Sequence, residues 1–362
     1  MDKQINAPEE KLPEETPLSE ETPRPEENRR KRKTYSMPEF LTVSPSPHIK
    51  SPDTTATVMF YVLVALVPAL AWGVYTFGLR ALAVVLISVA SCVGWEAAAQ
   101  FVLKRPITIG DLSAAVTGML LGMNLPVTVP LWMPVVGAFF AIVVVKQVFG
   151  GIGKNFVNPA LAARVFLFSW AGDMSAFPAV GTKINSLAVT LPDADAMTGA
   201  TPLAAMKAGT MPQTNLFGLI VGNTSGCIGE VSAILLLAGG LFLLWWKVIS
   251  WQIPVAYLGT VAVISLLAPR ISGAAIASSA YELVAGGLIL GAFFMATDYS
   301  TSPVTPVGRL VYGAGCGILT MLIRYFGSYP EGVSFSILIM NLLVWYIDKV
   351  TMPRRFGGKT NG

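Results

Sequence analysis

The residues of this chain best suited to covalent chemistry are Thr198, Gly199, Ala200 and Thr201, preceded by Asp195 and followed by Pro202. A threonine hydroxyl attacks phosphorus or acyl carbon once a base or a transferase removes its proton. It needs an open approach, and Gly199 and Ala200 place nothing larger than a methyl beside it. Asp195 is a candidate recognition or metal-proximal group for such a transfer. Small polar residues at this spacing also suit a plain loop, so the motif is read together with the rest of the chain.

Three further sets carry polar chemistry. The run Phe149-Gly-Gly-Ile-Gly-Lys-Asn155-Phe-Val-Asn158-Pro159 ends in an N-cap asparagine followed by proline at the first helical position. The helix it opens, carrying Arg164 and running to Trp170, has about 13 residues and a length of about 20 Å at 1.5 Å each. It is too short to cross a bilayer, and its free N–H groups suit an anionic or carbonyl acceptor. The absence of a Gly-Lys-Ser/Thr run and a preceding strand excludes a nucleotide P-loop. In the second set, Ala296 to Arg309, Thr305-Pro306 repeats the cap-plus-proline pattern, and Asp298 and Arg309 bracket a polar turn as a candidate ion pair. The third set, Glu96, Gln100, Lys146 and Arg164, falls within apolar segments. Charges at membrane depth are costly and mark pathways or paired sites, making Glu96 a candidate for an ion route. Lys146 and Arg164 are expected to snorkel or to meet partner subunits.

The elements that must position these residues follow from composition. Of 362 residues 53% are hydrophobic and only 13% charged, against about 25% charged in soluble domains, so the chain is expected to be an all-α polytopic membrane protein. Candidate apolar spans fall at about 57–78, 81–103, 111–129, 131–149, 157–170, 229–249, 252–269, 281–297, 306–325 and 333–350, about ten helices in all. Residues 1–36, rich in Glu and Pro and closing on Arg29 to Lys33, cannot bury enough apolar surface to fold. Basic residues at one set of helix ends (the run at 29–33, Lys104, Arg105, Lys154, Lys247, Arg309, Arg354, Arg355) predict that both termini, with the tail at 353–362, lie in the cytoplasm. Arg80, Lys183, Lys207, Arg270 and Arg324 fall on the other side, as does the loop at about 171–228 with Thr201. Gly118/Gly122 and Gly287/Gly291 suggest two halves. With five spans each, these would be inverted repeats with broken helices. Three separated cysteines and one histidine, His48, supply neither a metal cage nor haem ligands within a bundle. The net charge of +4 is accounted for by loop topology and does not point to nucleic acid.

The segment from Asp195 to Pro202 resembles the flavin-attachment motif of the NqrB/RnfD family of membrane subunits. The Gly-rich run resembles that family's G-G-x-G-x-N-x-x-N-P segment, and residues 297–309 resemble its T-D-x-x-T-x-P-x-x-x-x-G-R segment. The likeness covers about residues 38 to 352, including Ser44-Pro-Ser-Pro-His48, and is strongest to the RnfD branch. It implies FMN bound covalently to Thr201 through a phosphoester, with Asp195, Thr198, Gly199, Ala200 and Pro202 forming the attachment loop. It also implies a second, non-covalent flavin, riboflavin, within the membrane part, and Asn155, Asn158, Arg164, Asp298 and Arg309 are further cofactor-binding candidates that the resemblance does not assign to either flavin. The implied partners are the A, B, C, E and G subunits of an Rnf complex, a flavin transferase and the bilayer of a bacterial inner membrane. The implied activity is electron relay between ferredoxin and NAD through a transmembrane redox domain at 37–352, coupled to Na⁺ or H⁺ translocation by the complex. An NqrB-like subunit of a Na⁺-translocating NADH:quinone reductase and a transporter without redox function are the alternatives.

Overall fold

The computed structural model describes residues 53–186, 199–212, 214–271 and 274–353. The terminal segments at 1–36 and 353–362, apart from Pro353, and the residues Asp195 and Thr198 lie outside them. The regular secondary structure of the described residues is helical, with no strand. The first half holds α1 (Thr55–Phe77), α2 (Leu79–Val102), α3 (Ser113–Met123), α4 (Trp132–Phe139, continued by a π-helical segment Phe140–Gln147) and α5 (Pro159–Leu167). Three short helices follow: α6 (Ala171–Ser175), α7 (Pro202–Lys207) and α8 (Leu216–Val221). The second half holds α9 (Ala233–Trp245), α10 (Gln252–Leu267), α11 (Ala275–Val284), α12 (Leu288–Leu290, continued by a π-helical segment Gly291–Met295), α13 (Pro306–Phe326) and α14 (Val333–Thr351).

Every expected span contains a helix, but fewer of them are long enough to cross. Four helices (α1, α2, α13 and α14) meet the length and hydropathy of a span, and α11 with α12 makes a fifth, bent by 59°. The span expected at 111–129 stops at Met123, where Asn124-Leu-Pro126 breaks the helix. The apolar continuation is a run of turns, with the Val127 and Val129 carbonyls each taken by Arg80 at 2.8 Å. Such backbone is tolerated at membrane depth only where protein satisfies it. Arg80 was expected at a loop end, yet it is 2% exposed and acts as an internal cap. The span expected at 281–297 begins earlier, at Ala275, and breaks at Ala285-Gly286-Gly287, where Gly286 adopts φ +72°.

The halves share a packing plan. α2 lies against α3 and α4, as α10 lies against α11 and α13, and the halves meet through α1 with α9 and α5 with α14. The close approach of α3 to α2 needs glycine. A Cβ at Gly118 would stand 2.6 Å from the Val89 Cα, and one at Gly122 2.9 Å from the Val85 Cα. In the second half this role falls to Gly313 and Gly317, which abut Ile253, Tyr257 and Thr260 of α10. Gly287 and Gly291, matched to Gly118 and Gly122 by sequence, instead face Glu331 and Val333. The repeat is therefore carried by packing, and the five-residue likeness does not mark equivalent contacts.

Candidate functional site

Thr201 is the N-cap of α7. Its Oγ1 accepts the Ala204 N–H at 3.2 Å, and Pro202 fills the first helical position. This is the same local logic as at Asn158-Pro159 and Thr305-Pro306. Ahead of it, the Gly199 N–H donates to the Phe177 carbonyl at 2.9 Å. A Cβ on Gly199 would lie 2.7 Å from Ser225 Oγ and 3.1 Å from the Ala179 Cα, so the narrow approach tolerates only glycine. Behind Thr201 lies a pocket of about 220 Å³ that includes Gly199, Ala200, Phe168, Tyr329, Arg164 and Glu331. Phe168, Tyr329 and Phe335 form an aromatic wall, with ring centroids 5.1–5.9 Å apart. A smaller cavity of about 40 Å³ joins Thr201 to Thr224, Ser225, Glu230 and Glu331.

Arg164 forms the floor. It is 3% exposed and does not snorkel. It donates to Asn124 Oδ1 at 2.7 Å and to Glu331 Oε2 at 2.6 Å, with Glu230 Oε1 at 3.4 Å and Cys227 Sγ at 3.5 Å. Its Nε is buried without a partner among the described residues. Glu331 also accepts the Gly287 N–H at 2.7 Å, a donor freed by the break between α11 and α12. Both glutamates sit in connecting segments, Glu230 ahead of α9 and Glu331 ahead of α14. Burial and the facing Glu331 carboxylate push Glu230 well above the usual carboxyl range. Burial also acts to raise Glu331, but the Arg164 guanidinium and the Gly287 amide outweigh it and hold Glu331 low. Nearby, Glu282 binds Arg324 at 2.7 Å and Arg270 at 3.2 Å in a second buried cluster.

Asn155, Asn158 and Asp298 line a separate cavity of about 100 Å³ with Lys146, Phe293 and Phe294. Asn158 stands at the N-terminus of α5 and Arg164 six residues along, about 9 Å at 1.5 Å per residue, so the two pockets occupy different levels of the fold. Asn158 Oδ1 caps Ala160 and Leu161 at 3.0 and 3.3 Å, and its Nδ2 donates to the Met295 carbonyl at 3.2 Å. The expected Asp298–Arg309 pair does not form: Asp298 takes the Ser300 and Thr301 hydroxyls at 3.0 and 3.2 Å, and Arg309 Nε donates to the Pro303 carbonyl. A tight polar turn meets the needs of both groups locally. Glu96 is 1% exposed, and its Oε1 accepts from Lys146 at 2.6 Å and Gln147 at 2.8 Å. The π-helical segment brings these two successive residues to one carboxylate, a distortion that recurs at functional sites. Lys146 is thus paired and buried, not snorkelling.

The sequence reading did not single out Glu230 or Glu331. The available signal was an acidic residue at the mouth of an apolar run, Gly229-Glu230-Val231 and Pro330-Glu331-Gly332, opposite an arginine that had to be neutralised.

The profile of the NQR2, RnfD, RnfE family matches residues 42–357. The chain is 50% identical to the D subunit of the Na⁺-translocating ferredoxin:NAD⁺ oxidoreductase complex of Acetobacterium woodii, over 88% of this chain and 95% of the relative. It is 40% identical to the D subunit of the proton-translocating ferredoxin:NAD⁺ oxidoreductase complex of Clostridium ljungdahlii, over 87% and 96%. It is 38% identical to the D subunit of the ion-translocating oxidoreductase complex of Stutzerimonas stutzeri, over 84% and 93%.

Proposed function

From the premise that this chain belongs to the NQR2, RnfD, RnfE family, we propose that it is the D-type membrane subunit of a ferredoxin:NAD⁺ oxidoreductase complex, carrying FMN on Thr201. The observation that carries this reading is the shared pocket: Thr201 on its rim, an aromatic wall and a buried guanidinium beneath. A flavin ring needs a flat apolar surface, and a positive charge near its pyrimidine edge stabilises the reduced, anionic form. Arg164 is fixed by Asn124 and Glu331 and needs no reorganisation when that charge arrives. Gly199 lets its segment pack closely against Ser225 and Ala179 ahead of Thr201, and the residues present fit the group. Bound FMN supplies reversible electron transfer; the chain binds it, orients it and shields it from water.

In this reading Asn155, Asn158, Asp298, Phe293 and Phe294, which line one cavity, would hold the second flavin and supply it amide, carboxylate and aromatic contacts. Glu96 belongs to the ion route. The Thr201 loop faces the outer side and both termini the cytoplasm. The charge asymmetry supports this, because Arg80, Arg270 and Arg324 on the outer side are engaged with carbonyls or Glu282, leaving Lys104, Lys154 and Lys247 to set orientation. The two ferredoxin:NAD⁺ relatives differ in coupling ion, so the ion here is Na⁺ or H⁺.

The test is a denaturing gel of the chain from assembled complex. The band is expected to fluoresce under ultraviolet light and to lose all fluorescence in Thr201→Val, and peptide mass spectrometry is expected to show the FMN adduct on Thr201. An unmodified peptide, or a colourless complex as a transporter without redox function would give, sinks the assignment.

A further inference from the structure

The two carboxylates beneath Thr201 are unequally served. Glu331 has the close Arg164 contact at 2.6 Å and the Gly287 amide at 2.7 Å. Glu230 has Arg164 only at 3.4 Å, beyond a good hydrogen bond, although its side chain is 7% exposed. Like charges sharing one buried site cannot both ionise cheaply. The groups facing Glu230 are Arg164 from α5, Glu331 from the segment ahead of α14 and Cys227 from its own segment. Arg324 of α13 stands beyond Glu331 and is committed, with Arg270, to Glu282 of α11. This set counts three arginines and three carboxylates, so it is neutral when every member is ionised, and one further negative charge unbalances it. The cavity of about 40 Å³ between Thr201 and the pair has room for water, which gives a proton a path.

We propose that Glu230 is the proton-binding carboxyl of the Thr201 pocket: it takes one proton from water when negative charge enters the pocket and returns it when that charge leaves. The step forms one O–H bond on Glu230 and breaks one on a water-borne proton carrier, with no electrons exchanged by the protein. Glu331 stays ionised on Arg164 and acts as the positioning partner that keeps Glu230 ready to accept. The raised proton affinity of Glu230 agrees with this division. The proposal rests on Thr201 bearing the flavin, and its test separates the two.

Whole complex is prepared as wild type and Glu230→Gln, and gel fluorescence is read first. Where both chains fluoresce, the flavin midpoint potential is titrated against pH, and infrared difference spectra are recorded on reduction with dithionite. The wild type is expected to show a break in the pH dependence towards neutrality and a protonated-carboxyl band, shifted in D₂O. Glu230→Gln loses both. Fluorescent variant protein that keeps the break and the band overturns the proposal. A wild-type chain without fluorescence overturns the Thr201 reading alone. The carboxyl band is then followed against pH in the same samples: its loss in the variant upholds proton binding at Glu230, and its persistence overturns it. Should Glu230→Gln not assemble, Glu331→Gln gives Arg164 wholly to Glu230. The break then moves to lower pH by more than one unit, and an unmoved break overturns the proposal.

Discussion

Arg164→Met is expected to destabilise the chain by about 3–5 kcal/mol, the range for removing one partner of a buried ion pair. The guanidinium serves Asn124, Glu331 and, at longer range, Glu230. Methionine fills much of the volume but leaves two carboxylates facing each other with no cation. Marginal stabilities of about 5–15 kcal/mol leave little after such a loss. The measurement is the thermal midpoint of the assembled complex, followed by tryptophan fluorescence and by retention on size-exclusion chromatography. The variant has a second signature in its pH dependence. In the wild type Glu331 is held low, so its contribution is present above its unfolded pKa and is lost as pH falls through the folded value. Glu230 is held high, so its contribution is present at lower pH and is lost as pH rises through the folded value. Without Arg164 both carboxyls are raised, and the variant should regain stability on acidification. Arg164→Lys keeps the charge but not the fork that reaches Asn124 and Glu331 together, so it should fall between the two. A variant that melts with the wild type across this range would remove Arg164 from the architecture of the pocket.

The same residue shows how far sequence carries the reading. Hydropathy places a helix in every apolar run because a spanning helix needs only length and apolar content. It does not distinguish helix from apolar turns, which is why Leu125 to Val129 falls within an expected span. What holds that segment is Arg80, 47 residues away for Val127 and 49 for Val129, and no local pattern carries such a partner. Caps were legible: Asn158-Pro159 and Thr305-Pro306 follow from local chemistry, and Thr201-Pro202 obeys the same rule. Ion pairs were not. Asp298 and Arg309 are close in sequence and satisfied separately, whereas Arg164 and Glu331 lie 167 residues apart and meet. The motif pointed to Thr201, but the groups that give its pocket a charge came from three distant segments.

The pair in the first half gives the second large effect. Glu96→Gln is expected to cost about 3–5 kcal/mol, because Lys146 would remain charged and buried, with side-chain exposures of 4% for Lys146 and 1% for Glu96. The double variant Glu96→Gln/Lys146→Met removes both charges and should recover most of that loss, since apolar replacement of a buried pair is often neutral or better. Differential scanning of the single and double variants measures the coupling directly. Recovery matters because it separates packing from passage. Lys146 also donates to Ser113 at 2.6 Å, and Ser113 donates to Asp111 at 2.6 Å, so polar groups lead from Glu96 to the partly exposed Asp111 just ahead of α3. Glu96 Oε2 is buried with no hydrogen-bond partner among the described residues, which leaves an acceptor in this chain of groups open to a mobile ion. If the route runs here, the double variant will melt like the wild type and still fail to take up ions during ferredoxin-driven NAD⁺ reduction in vesicles. Wild-type uptake by a double variant of restored stability would assign the pair to packing alone.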